Sequence, residues 1–432
     1  MRVVAVADSD SYVKWAAAML GRMPADWQVS LVIVTTPKRP SREQLASALS
    51  GTVIDADEVV TLPFERAMTH VASERADVVL VATIGPLADL VTEAVLERSD
   101  RAPVIVSGVP GIALPARRKA LIYRSQAQLI VLHSQREVRQ FAAIAAHNGL
   151  PHEFALATLP FLGERAGSGD PLGDVIFAAQ AIVPPSRQQR VAMLRSLVSF
   201  ACRYPHIRVV VKVRALAGEG QTHEERYDYA ALLREEFPTV PLNLAIEAGP
   251  MAGHLRGASA LVTVSSTAAI EAVAMGIPVL VIDDFGVSAD LINEVFTGSG
   301  LLGGTIDLLA RDFRVPEQAW LNDNYFHDES QNTWIGAIEA MVAKNRAGLL
   351  SSTPRVVRGS GGVLRRAWDR KRALGSSDHS PLGYVALIVG TPARIAVLAL
   401  HAIVRLVPAS PVALDDETAD LGDNSRAADR TR

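Results

Sequence analysis

Short runs of β-branched and other apolar residues alternate with amphipathic stretches along most of this chain. In the first 160 residues the apolar runs lie at 3–7, 29–35, 78–82, 104–107 and 129–133. Because these runs lack the polar–apolar alternation of a half-exposed strand, each predicts a strand that is buried on both faces. Buried strands that alternate with helices predict a parallel sheet covered on both sides.

A segment rich in glycine, serine and charged residues, 163–173, interrupts this alternation, and the same pattern then starts again. The second set of apolar runs lies at 175–179, 207–213, 242–246, 260–264 and 278–282. Two successive sheets of this kind predict a ligand cleft between the carboxyl ends of their strands. We therefore expect an α/β protein with two tandem doubly wound, Rossmann-like domains that face a cleft.

We expect the domain boundaries where the composition changes. After about residue 350 a basic stretch is followed by a strongly apolar one and then by an acidic, polar tail, a composition that predicts disorder in the tail. The expected segments are a first domain at 1–162, a second domain at 174–348, a basic linker at 349–381, an apolar amphipathic helix at 382–408 and a disordered acidic tail at 409–432. The last three would form a C-terminal helical appendage with its tail.

The bulk composition excludes several classes of protein. Of the 432 residues, 49% are hydrophobic and 21% are charged, which is typical of a folded globular protein. A formal net charge of −3 gives no electrostatic basis for wrapping nucleic acid, so we expect no nucleic-acid partner. The single cysteine, Cys202, excludes an internal disulfide framework and a cysteine-based zinc site. The amino terminus lacks the apolar core of a secretory signal, and both features predict a cytoplasmic location.

The sequence VTVSSTAAIEAVAMGIPVLV at 262–281 predicts a ligand site in the second domain. A strand delivers Ser265, Ser266 and Thr267 to the start of a helix, where unpaired backbone amides and hydroxyl groups suit a phosphate or a carboxylate. Glu271 lies about one turn into that helix, where its carboxylate can accept hydrogen bonds from ribose or sugar hydroxyls. The alternative is an ordinary helix that a serine caps at its start and a glycine ends.

A basic cluster follows the strand predicted at 207–213. Lys212 and Arg214 occupy alternate positions and therefore point the same way off the end of the sheet, where two cations can neutralise phosphates. His223 lies further along the same segment. The alternative is a solvated loop that leads into a helix capped by Thr222.

Two aspartates follow the first predicted strand, where the turn of a doubly wound sheet opens on the ligand crevice. Asp10 is the preferred general base for a hydroxyl group, and Asp8 lies beside it. The alternative is that Asp10 or Ser11 only caps the following helix. The turn is not the Gly-x-Gly-x-x-Gly sequence that lets a dinucleotide approach the backbone, so we expect no nicotinamide or flavin cofactor.

Gly108 and Gly111, after the fourth predicted strand, are candidates to make room for a bound molecule, and the basic triplet at 117–119 could meet an anionic one. His133 and Ser134 end the fifth predicted strand. Each of these features is also compatible with ordinary turn chemistry or a solvated surface. No tight carboxylate cluster accompanies the motif at 262–281, so we expect no metal ion.

At Glu271-Ala272, Gly276 and Pro278-Val279 the chain resembles the donor half of GT-B glycosyltransferases. The preceding Ser-Ser-Thr is similar to a motif of bacterial capsule-polysaccharide, polysialic-acid and teichoic-acid transferases, where it contacts the phosphate of the donor nucleotide. The whole chain also resembles an unassigned family of actinobacterial glycosyltransferases. These resemblances imply a GT-B architecture. They also imply a donor site made of Lys212, Arg214, Ser265, Ser266, Thr267 and Glu271.

The chain departs from this pattern at one position. The related capsule and teichoic-acid enzymes have a His-Pro dipeptide after the equivalent of Lys212, whereas this chain has Val213-Arg214. His223 is the candidate to occupy the space of that histidine, and it is a candidate catalytic residue together with Asp10.

The resemblance implies a glycosyltransferase that moves a sugar from a nucleotide-activated donor to a cell-envelope or polysaccharide acceptor, by an inverting and metal-independent reaction. The expected partners are a nucleotide-sugar donor and a glycan or lipid-linked acceptor, with Asp8, Gly108 and Gly111 on the acceptor side. Two alternatives stay open. One is a sugar-nucleotide epimerase or hydrolase on the same fold, and the other is a noncatalytic binding protein.

The C-terminal region suggests a membrane surface as a further partner. Seven arginines and lysines but only one acid lie between residues 355 and 372, and 382–407 is apolar but interrupted by Pro392, Arg394, His401 and Arg405. These interruptions count against a crossing and favour a helix that lies in the membrane interface, with the basic stretch at anionic headgroups. We therefore expect peripheral attachment through 355–407 at the inner face of the plasma membrane. The alternative is a helical arm that packs on a partner or on the first domain.

Overall fold

The computed structural model describes residues 1–160, 162, 172–213, 227–356 and 362–392. These residues form two parallel sheets, each covered by helices, which confirms the predicted α/β class and the two tandem doubly wound domains. The two sheets correspond to the two sets of apolar runs in the sequence.

The first sheet has seven strands in the order β3-β2-β1-β4-β5-β6-β7. Its strands are β1 (Arg2–Ala7), β2 (Gln28–Val34), β3 (Val60–Leu62), β4 (Val78–Ala82), β5 (Val104–Gly108), β6 (Leu129–Leu132) and β7 (Glu153–Leu156). Its helices are α1 (Asp10–Leu20), α2 (Arg42–Leu49), α3 (Phe64–Ser73), α4 (Gly85–Arg98), α5 (Arg118–Ile122) and α6 (Gln135–His147).

The second sheet has six strands in the order β10-β9-β8-β11-β12-β13. Its strands are β8 (Asp174–Ala178), β9 (Val209–Lys212), β10 (Leu244–Glu247), β11 (Ala258–Thr263), β12 (Val279–Ile282) and β13 (Leu302–Gly303). The helices of this half are α7 (Arg187–Arg203), α8 (Tyr229–Glu236), α9 (Met251–Leu255), α10 (Ala268–Ala274), α11 (Thr305–Ala310) and α12 (Gln318–Asp323). Three helices follow: α13 (Trp334–Arg346), α14 (Gly362–Leu374) and α15 (381–392).

Burial on both faces explains the continuous apolar runs. Residues 3 to 7 of β1 are all inaccessible to solvent. The odd-numbered residues of this strand pack in one core with α1, α2 and α13, whereas the even-numbered residues pack in a second core with α3 and α4. Fully burying a valine side chain stabilises the fold by about 1.5–3 kcal/mol. A strand that is covered on both faces is therefore stabilised by an apolar residue at every position.

The strand order of each sheet reverses at one point. The first strand of each domain lies beside the fourth, at β1–β4 in the first sheet and at β8–β11 in the second. Ligands of open α/β sheets bind outside the carboxyl ends of the strands at such a reversal. The turns after β1 and β11 therefore carry the predicted site residues to the expected positions.

The helix α13 follows the second sheet in sequence but packs on the first sheet. Its residues Trp334, Ile338 and Met341 are at most 4% exposed and belong to the same core as the odd-numbered side of β1. Two hydrogen bonds also fix the residue before α13 to β7 of the first domain. Leu156 N donates to Thr333 Oγ1 over 3.0 Å, and Thr333 N donates to the carbonyl oxygen of Leu156 over 2.9 Å.

The segment expected to be a basic linker contains α14, which packs on α4 of the first domain. Leu374, at the end of α14, is fully buried in the core between α3 and α4. The helix α15 covers the beginning of the predicted apolar helix, and the predicted tail at 409–432 lies outside the described residues. Within the described part of the chain, no helix is long and apolar enough to cross a membrane.

Candidate active site

The serine-rich turn after β11 is held by hydrogen bonds to the neighbouring strand β8. Thr263 Oγ1 donates to the carbonyl oxygen of Ala178 over 2.9 Å and accepts a bond from the amide of Ser266 over 3.0 Å. Gln180 Nε2 donates to the carbonyl oxygen of Ser265 over 2.6 Å, and Ser265 Oγ donates to Gln180 Oε1 over 3.0 Å. The backbone of the turn is therefore fixed by the protein itself, and the Ser265 hydroxyl is already engaged.

The next two residues, Ser266 and Thr267, precede the seven-residue helix α10, and Thr267 is its N-cap residue. Ser266 Oγ accepts a hydrogen bond from the amide of Ala268 over 3.2 Å, so part of its role is the local capping that the sequence offered as an alternative. Thr267 has an exposed side chain that makes no capping bond. Of the three hydroxyls, that of Thr267 is the most accessible to a ligand.

Gly111 of the first domain faces this turn across the cleft. A side-chain carbon added at Gly111 would lie 3.6 Å from Thr267 Cγ2. The loop after β5 and the turn after β11 are thus separated by the thickness of about one methyl group. The structure brings together a residue predicted for the acceptor side and one predicted for the donor side.

Glu271, in α10, interacts electrostatically with two lysines that come from different domains. Burial raises the pKa of its carboxyl group, whereas the positive charges of Lys14 and Lys212 act to lower that pKa. Lys14 belongs to α1 of the first domain, and Lys212 ends β9 of the second, where it is 8% exposed. The carboxyl edges of the two sheets therefore each contribute a cation close enough to act on the Glu271 carboxylate.

Asp8 is a buried carboxyl group with a raised pKa at the first-domain edge. It is fully buried after β1, and this burial raises its pKa to about 6 despite a 3.1 Å hydrogen bond from Ser9 Oγ to Oδ1. Its Oδ2 is buried and accepts no hydrogen bond from the described residues. The charges of Lys38 and Arg124 lower the pKa by smaller amounts.

Asp10 occupies the first turn of α1, and Ser9 is the N-cap residue. The predicted base is partly exposed, whereas Asp8 is fully buried. Of the two aspartates, only Asp10 is therefore placed to touch a bound molecule without a rearrangement of the chain.

Arg124 is a buried cation that sequence reasoning missed. It is 4% exposed, and its guanidinium donates to Ser107 Oγ, to the hydroxyl of Tyr12 and to the carbonyl oxygen of Thr83, over 3.0, 3.0 and 3.1 Å. It thereby joins the ends of β4 and β5 to α1 beside Asp8. The basic triplet at 117–119 is a more conspicuous pattern, and nothing in the sequence around residue 124 indicates that this arginine is the buried one.

Gly108 does not make room for a ligand, and this expectation is corrected. A side-chain carbon at Gly108 would lie 2.5 Å from Trp15 Cζ2 and 2.9 Å from the carbonyl oxygen of Val131. The indole of Trp15 fills the space that the missing side chain leaves. The glycine is required for packing between α1 and the sheet.

His133 is held in one neutral tautomer. Its Nε2 accepts a 2.7 Å hydrogen bond from Trp15 Nε1, so the proton must lie on Nδ1, which donates to the carbonyl oxygen of Ala157 over 3.0 Å. Burial lowers the pKa of the imidazole to about 4. With both nitrogens engaged and no exposure to solvent, this histidine supports the fold rather than a proton transfer.

Glu137 is a second residue that the sequence did not reveal. Its buried carboxylate accepts hydrogen bonds from Ala113 N (2.8 Å), from His133 N (3.0 Å) and from the hydroxyl of Tyr325 in the second half of the chain (2.6 Å). Burial raises the pKa of Glu137, and the pKa of Tyr325 is raised well above its usual value. This carboxylate ties the loop that carries Gly111 to the second domain.

Two predicted site residues and one aspartate near the second-domain edge complete the description of the site. Arg214 and His223 lie outside the described residues. Asp284, which follows β12, binds the start of α11 through Thr305 N at 2.8 Å. Among the described residues, no group of three or more histidine, cysteine, aspartate or glutamate side chains could hold a metal ion.

A cavity of about 380 Å³ lies away from this site, beside Asp77, Pro103 and Arg346. Asp77 and Pro103 precede β4 and β5, so the cavity opens at the amino-terminal edge of the first sheet. Because the lysines, Asp8 and the serine-rich turn all lie at the carboxyl edges, we assign the site there.

One protein family matches residues 3–341, and its description is "Putative glycosyltransferase (DUF6716)". The chain belongs to this family. No protein of curated function matches the chain significantly in sequence.

Solved structures show the same fold as this DUF6716 chain. The structure of S. aureus MnaA with UDP has a TM-score of 0.52 and 11% identity, and the match covers 83% of this chain and 100% of that one. A Listeria monocytogenes protein described as a putative UDP-N-acetylglucosamine 2-epimerase has a TM-score of 0.50 and 13% identity, with coverage of 83% and 99%. At such identities the similarity establishes the fold alone. The fold and the family together confirm the resemblance to GT-B glycosyltransferases.

Proposed function

We propose that this protein transfers a sugar from a nucleotide-activated donor to a glycan or lipid-linked acceptor of the cell envelope, with inversion and without a metal ion. The observation that carries the proposal is the electrostatic interaction of Glu271 with Lys212 and with Lys14, which come from the carboxyl edges of the two Rossmann-like domains. This arrangement offers cations for a phosphate and a carboxylate for hydroxyl groups within one cleft. Membership of the DUF6716 family supports the same class of reaction.

The principal task of the second-domain edge is to stabilise the leaving nucleotide. Negative charge grows on the departing phosphate as the glycosidic bond breaks, and fixed cations and amides aimed at it lower the barrier. We assign this role to Lys212, to the turn of Ser265, Ser266 and Thr267, and to Arg214. Glu271 is proposed to bind ribose or sugar hydroxyls. Lys212, Arg214 and the backbone amides of the turn would stabilise the phosphate in place of a metal ion.

The first-domain edge is proposed to hold the acceptor. Asp10 would take the proton from the attacking hydroxyl as it forms the new bond to the sugar carbon, while the bond to the nucleotide phosphate breaks. Asp8 and Gly111 would shape the acceptor side, and His223 remains a proposed catalytic residue. Asp10 is preferred over Asp8 as the base because Asp8 is fully buried.

The proposed place of action is the inner face of the plasma membrane, where nucleotide-sugars and lipid-linked acceptors meet. Peripheral attachment through the C-terminal region would keep the acceptor side of the cleft near that surface. This part of the proposal does not depend on the identity of the sugar or of the nucleotide base.

Thermal unfolding with a panel of nucleoside mono- and diphosphates tests the donor site. UDP is the first to try, since the S. aureus MnaA structure of the same fold contains it. We expect one nucleotide to raise the melting temperature of the wild type and of Lys344→Met, an exposed lysine on α13, but not of Lys212→Met. Loss of a charge-assisted bond costs about 1.5–3 kcal/mol, or roughly 10–150-fold in affinity.

Product analysis with the nucleotide-sugar that binds then separates the candidate reactions. Sugar transferred only in the presence of an acceptor supports the proposal, whereas an epimerised or hydrolysed nucleotide-sugar without an acceptor contradicts it. If no nucleotide shifts the melting temperature, the protein is a noncatalytic member of the fold.

A further inference from the structure

A buried arginine lies beneath the loop that follows β8. Arg190, in α7, is 1% exposed. Its guanidinium donates hydrogen bonds to the carbonyl oxygens of Gln180, Ala181 and Pro184, over 3.0, 2.6 and 2.9 Å. A planar guanidinium carries several N–H groups in a fixed fork, so it can hold several carbonyl oxygens at once. Arg190 therefore fixes the backbone of this loop.

The position of Arg190 is itself set by the chain at the start of α8. Its Nη1 donates to the carbonyl oxygen of Tyr227 over 2.9 Å. The guanidinium carbon lies 5.1 Å from the centre of the ring of Tyr229, a fully buried residue that begins α8. The electrons of an aromatic ring attract a cation at this distance. Contacts on two sides thus hold the guanidinium in one place.

The loop that Arg190 holds connects two parts of the proposed donor site. In the sheet, β8 lies between β9 and β11. The amide of Ala179 donates to the carbonyl oxygen of Lys212, at the end of β9, over 3.0 Å. The side chain of the next residue, Gln180, donates to the carbonyl oxygen of Ser265 over 2.6 Å and accepts from its hydroxyl over 3.0 Å. Two consecutive residues therefore link the lysine on one side to the serine-rich turn on the other.

The orientation of this loop also suits an anion at the carboxyl edge of the sheet. The carbonyl oxygens of Gln180, Ala181 and Pro184 point to a buried group, so the negative ends of these peptide dipoles are directed into the protein rather than towards solvent. Polar groups that are already fixed need no reorganisation when negative charge develops on a phosphate. The loop is therefore arranged in advance for a negatively charged ligand.

We propose that Arg190 is a positioning residue for the donor phosphate, and that it acts through Gln180 by setting the separation between Lys212 and the serine-rich turn. The inference rests on the proposed function, because it takes the phosphate to lie between these two elements. Arg190 is buried in α7 and does not touch the phosphate. Its planar fork is what matters, so a lysine at this position should not replace it.

Hydrogen exchange of the free protein tests the positioning itself. Gln180→Met removes both hydrogen bonds to Ser265, and the amide of Ser266, which is bonded within the same turn, should exchange about tenfold faster. The matched control is Gln128→Met. Gln128 is half-buried like Gln180, but its Oε1 accepts a 2.8 Å bond from Ile105 N in the first domain. The control should leave exchange at Ser266 unchanged. Equal exchange in the wild type and Gln180→Met would overturn the proposal.

Calorimetric titration with UDP, CDP, ADP and GDP tests the consequence for binding. For the diphosphate that binds the wild type, the affinity should fall about tenfold in Gln180→Met and in Arg190→Lys and stay the same in Gln128→Met. The affinity for the matching nucleoside, which has no phosphate, should be unchanged in each variant. An equal loss for the nucleoside and the diphosphate would mean a general structural effect and would overturn the proposal. Should Arg190→Lys not fold in urea denaturation, Gln180→Met still decides the result.

These measurements separate a failure of the inference from a failure of the proposed function. If the wild type binds one diphosphate and Gln180→Met binds it equally well, only the role of Arg190 and Gln180 is wrong. If the wild type binds none of the four diphosphates, the proposed function fails and the inference fails with it.

Discussion

Gly111 of the first domain lies against Thr267 of the second, with 3.6 Å between the position of a side-chain carbon at Gly111 and Thr267 Cγ2. Each residue comes from a loop at the carboxyl edge of its own sheet, so the two edges approach each other here. The backbone of Gly111 has a φ of +74°, a conformation that disfavours any other residue. The conformation selects glycine here, whereas a side-chain carbon alone would make an ordinary van der Waals contact with Thr267.

The substitution Gly111→Leu should weaken nucleotide binding as well as stability. Gly51→Leu is the matched control, because Gly51 has a φ of +75° but no atom within 4 Å of an added side-chain carbon. Both variants should lose about 1–2 kcal/mol of unfolding free energy through backbone strain. Only Gly111→Leu should lower nucleotide affinity, by about tenfold or more in calorimetric titration. Equal affinities in the two variants would show that the donor does not occupy this part of the cleft.

The hydrogen bond between Tyr325 and Glu137 should contribute more to the unfolding free energy than an ordinary tyrosine hydrogen bond does. Tyr325→Phe removes a donor from a buried carboxylate, so we expect a loss of about 1.5–3 kcal/mol in unfolding free energy. Tyr204→Phe removes a 2.9 Å bond to the carbonyl oxygen of Leu309 within the second domain and should cost about 0.5–1.5 kcal/mol. Urea denaturation of both variants measures the difference. A smaller loss in Tyr325→Phe than in Tyr204→Phe would argue against a tie between the domains at this bond.

Asp8 should make the protein less stable as the pH rises from about 4 to 6. Its pKa is raised from 3.8 to about 6 in the folded state, so the fold favours the protonated form. The contribution of Asp8 to the unfolding free energy is fully present below its pKa in the unfolded chain. It is lost as the pH rises through its pKa in the folded protein, and it amounts to about 3 kcal/mol. The unfolding free energy of the wild type minus that of Asp8→Asn should fall by this amount between pH 4 and pH 7. A constant difference would mean that Asp8 is not buried as an acid.

The contribution of His133 to the unfolding free energy should have the opposite pH dependence. Its pKa is lowered from 6.5 to about 4, so the fold favours the neutral ring. This contribution is present above the unfolded pKa and is lost as the pH falls towards the folded one, again about 3 kcal/mol. The unfolding free energy of the wild type minus that of His133→Gln should therefore decrease on acidification from pH 7 to 4. An NMR titration that finds the imidazole half-protonated near pH 6.5 would contradict the buried tautomer.

The main features of the fold follow from the periodicity of the sequence, because strands covered on both faces must be apolar at every position. The strands β3, β7 and β13 were not predicted. Three and two residues, in β3 and β13, are too few to form a recognisable run, and β7 is a four-residue strand that begins with a glutamate. The packing of α13 on the first sheet is a tertiary contact, and the local sequence of an amphipathic helix does not indicate which sheet receives it.

The candidate site was only partly predictable. Ser265, Thr267 and Lys212 are found at the carboxyl edge of the second sheet because they lie at or shortly after the ends of strands, which a sequence can indicate. The roles of Arg124 and Glu137 depend on distant partners as well as near ones. Ser107 lies 17 residues from Arg124, and Tyr325 lies 188 residues from Glu137, so the local sequence does not reveal either role. The same reason explains the error at Gly108, whose neighbour Trp15 comes from α1.

The central claim is that the edge of the second sheet holds the phosphate of a nucleotide. A crystal structure of the protein with a nucleoside diphosphate that raises its melting temperature tests this claim most directly. The account predicts a phosphate oxygen within about 3 Å of Lys212 Nζ and next to the turn that begins α10, with the ribose directed towards Glu271. A phosphate bound elsewhere, such as in the cavity beside Arg346, would contradict the account.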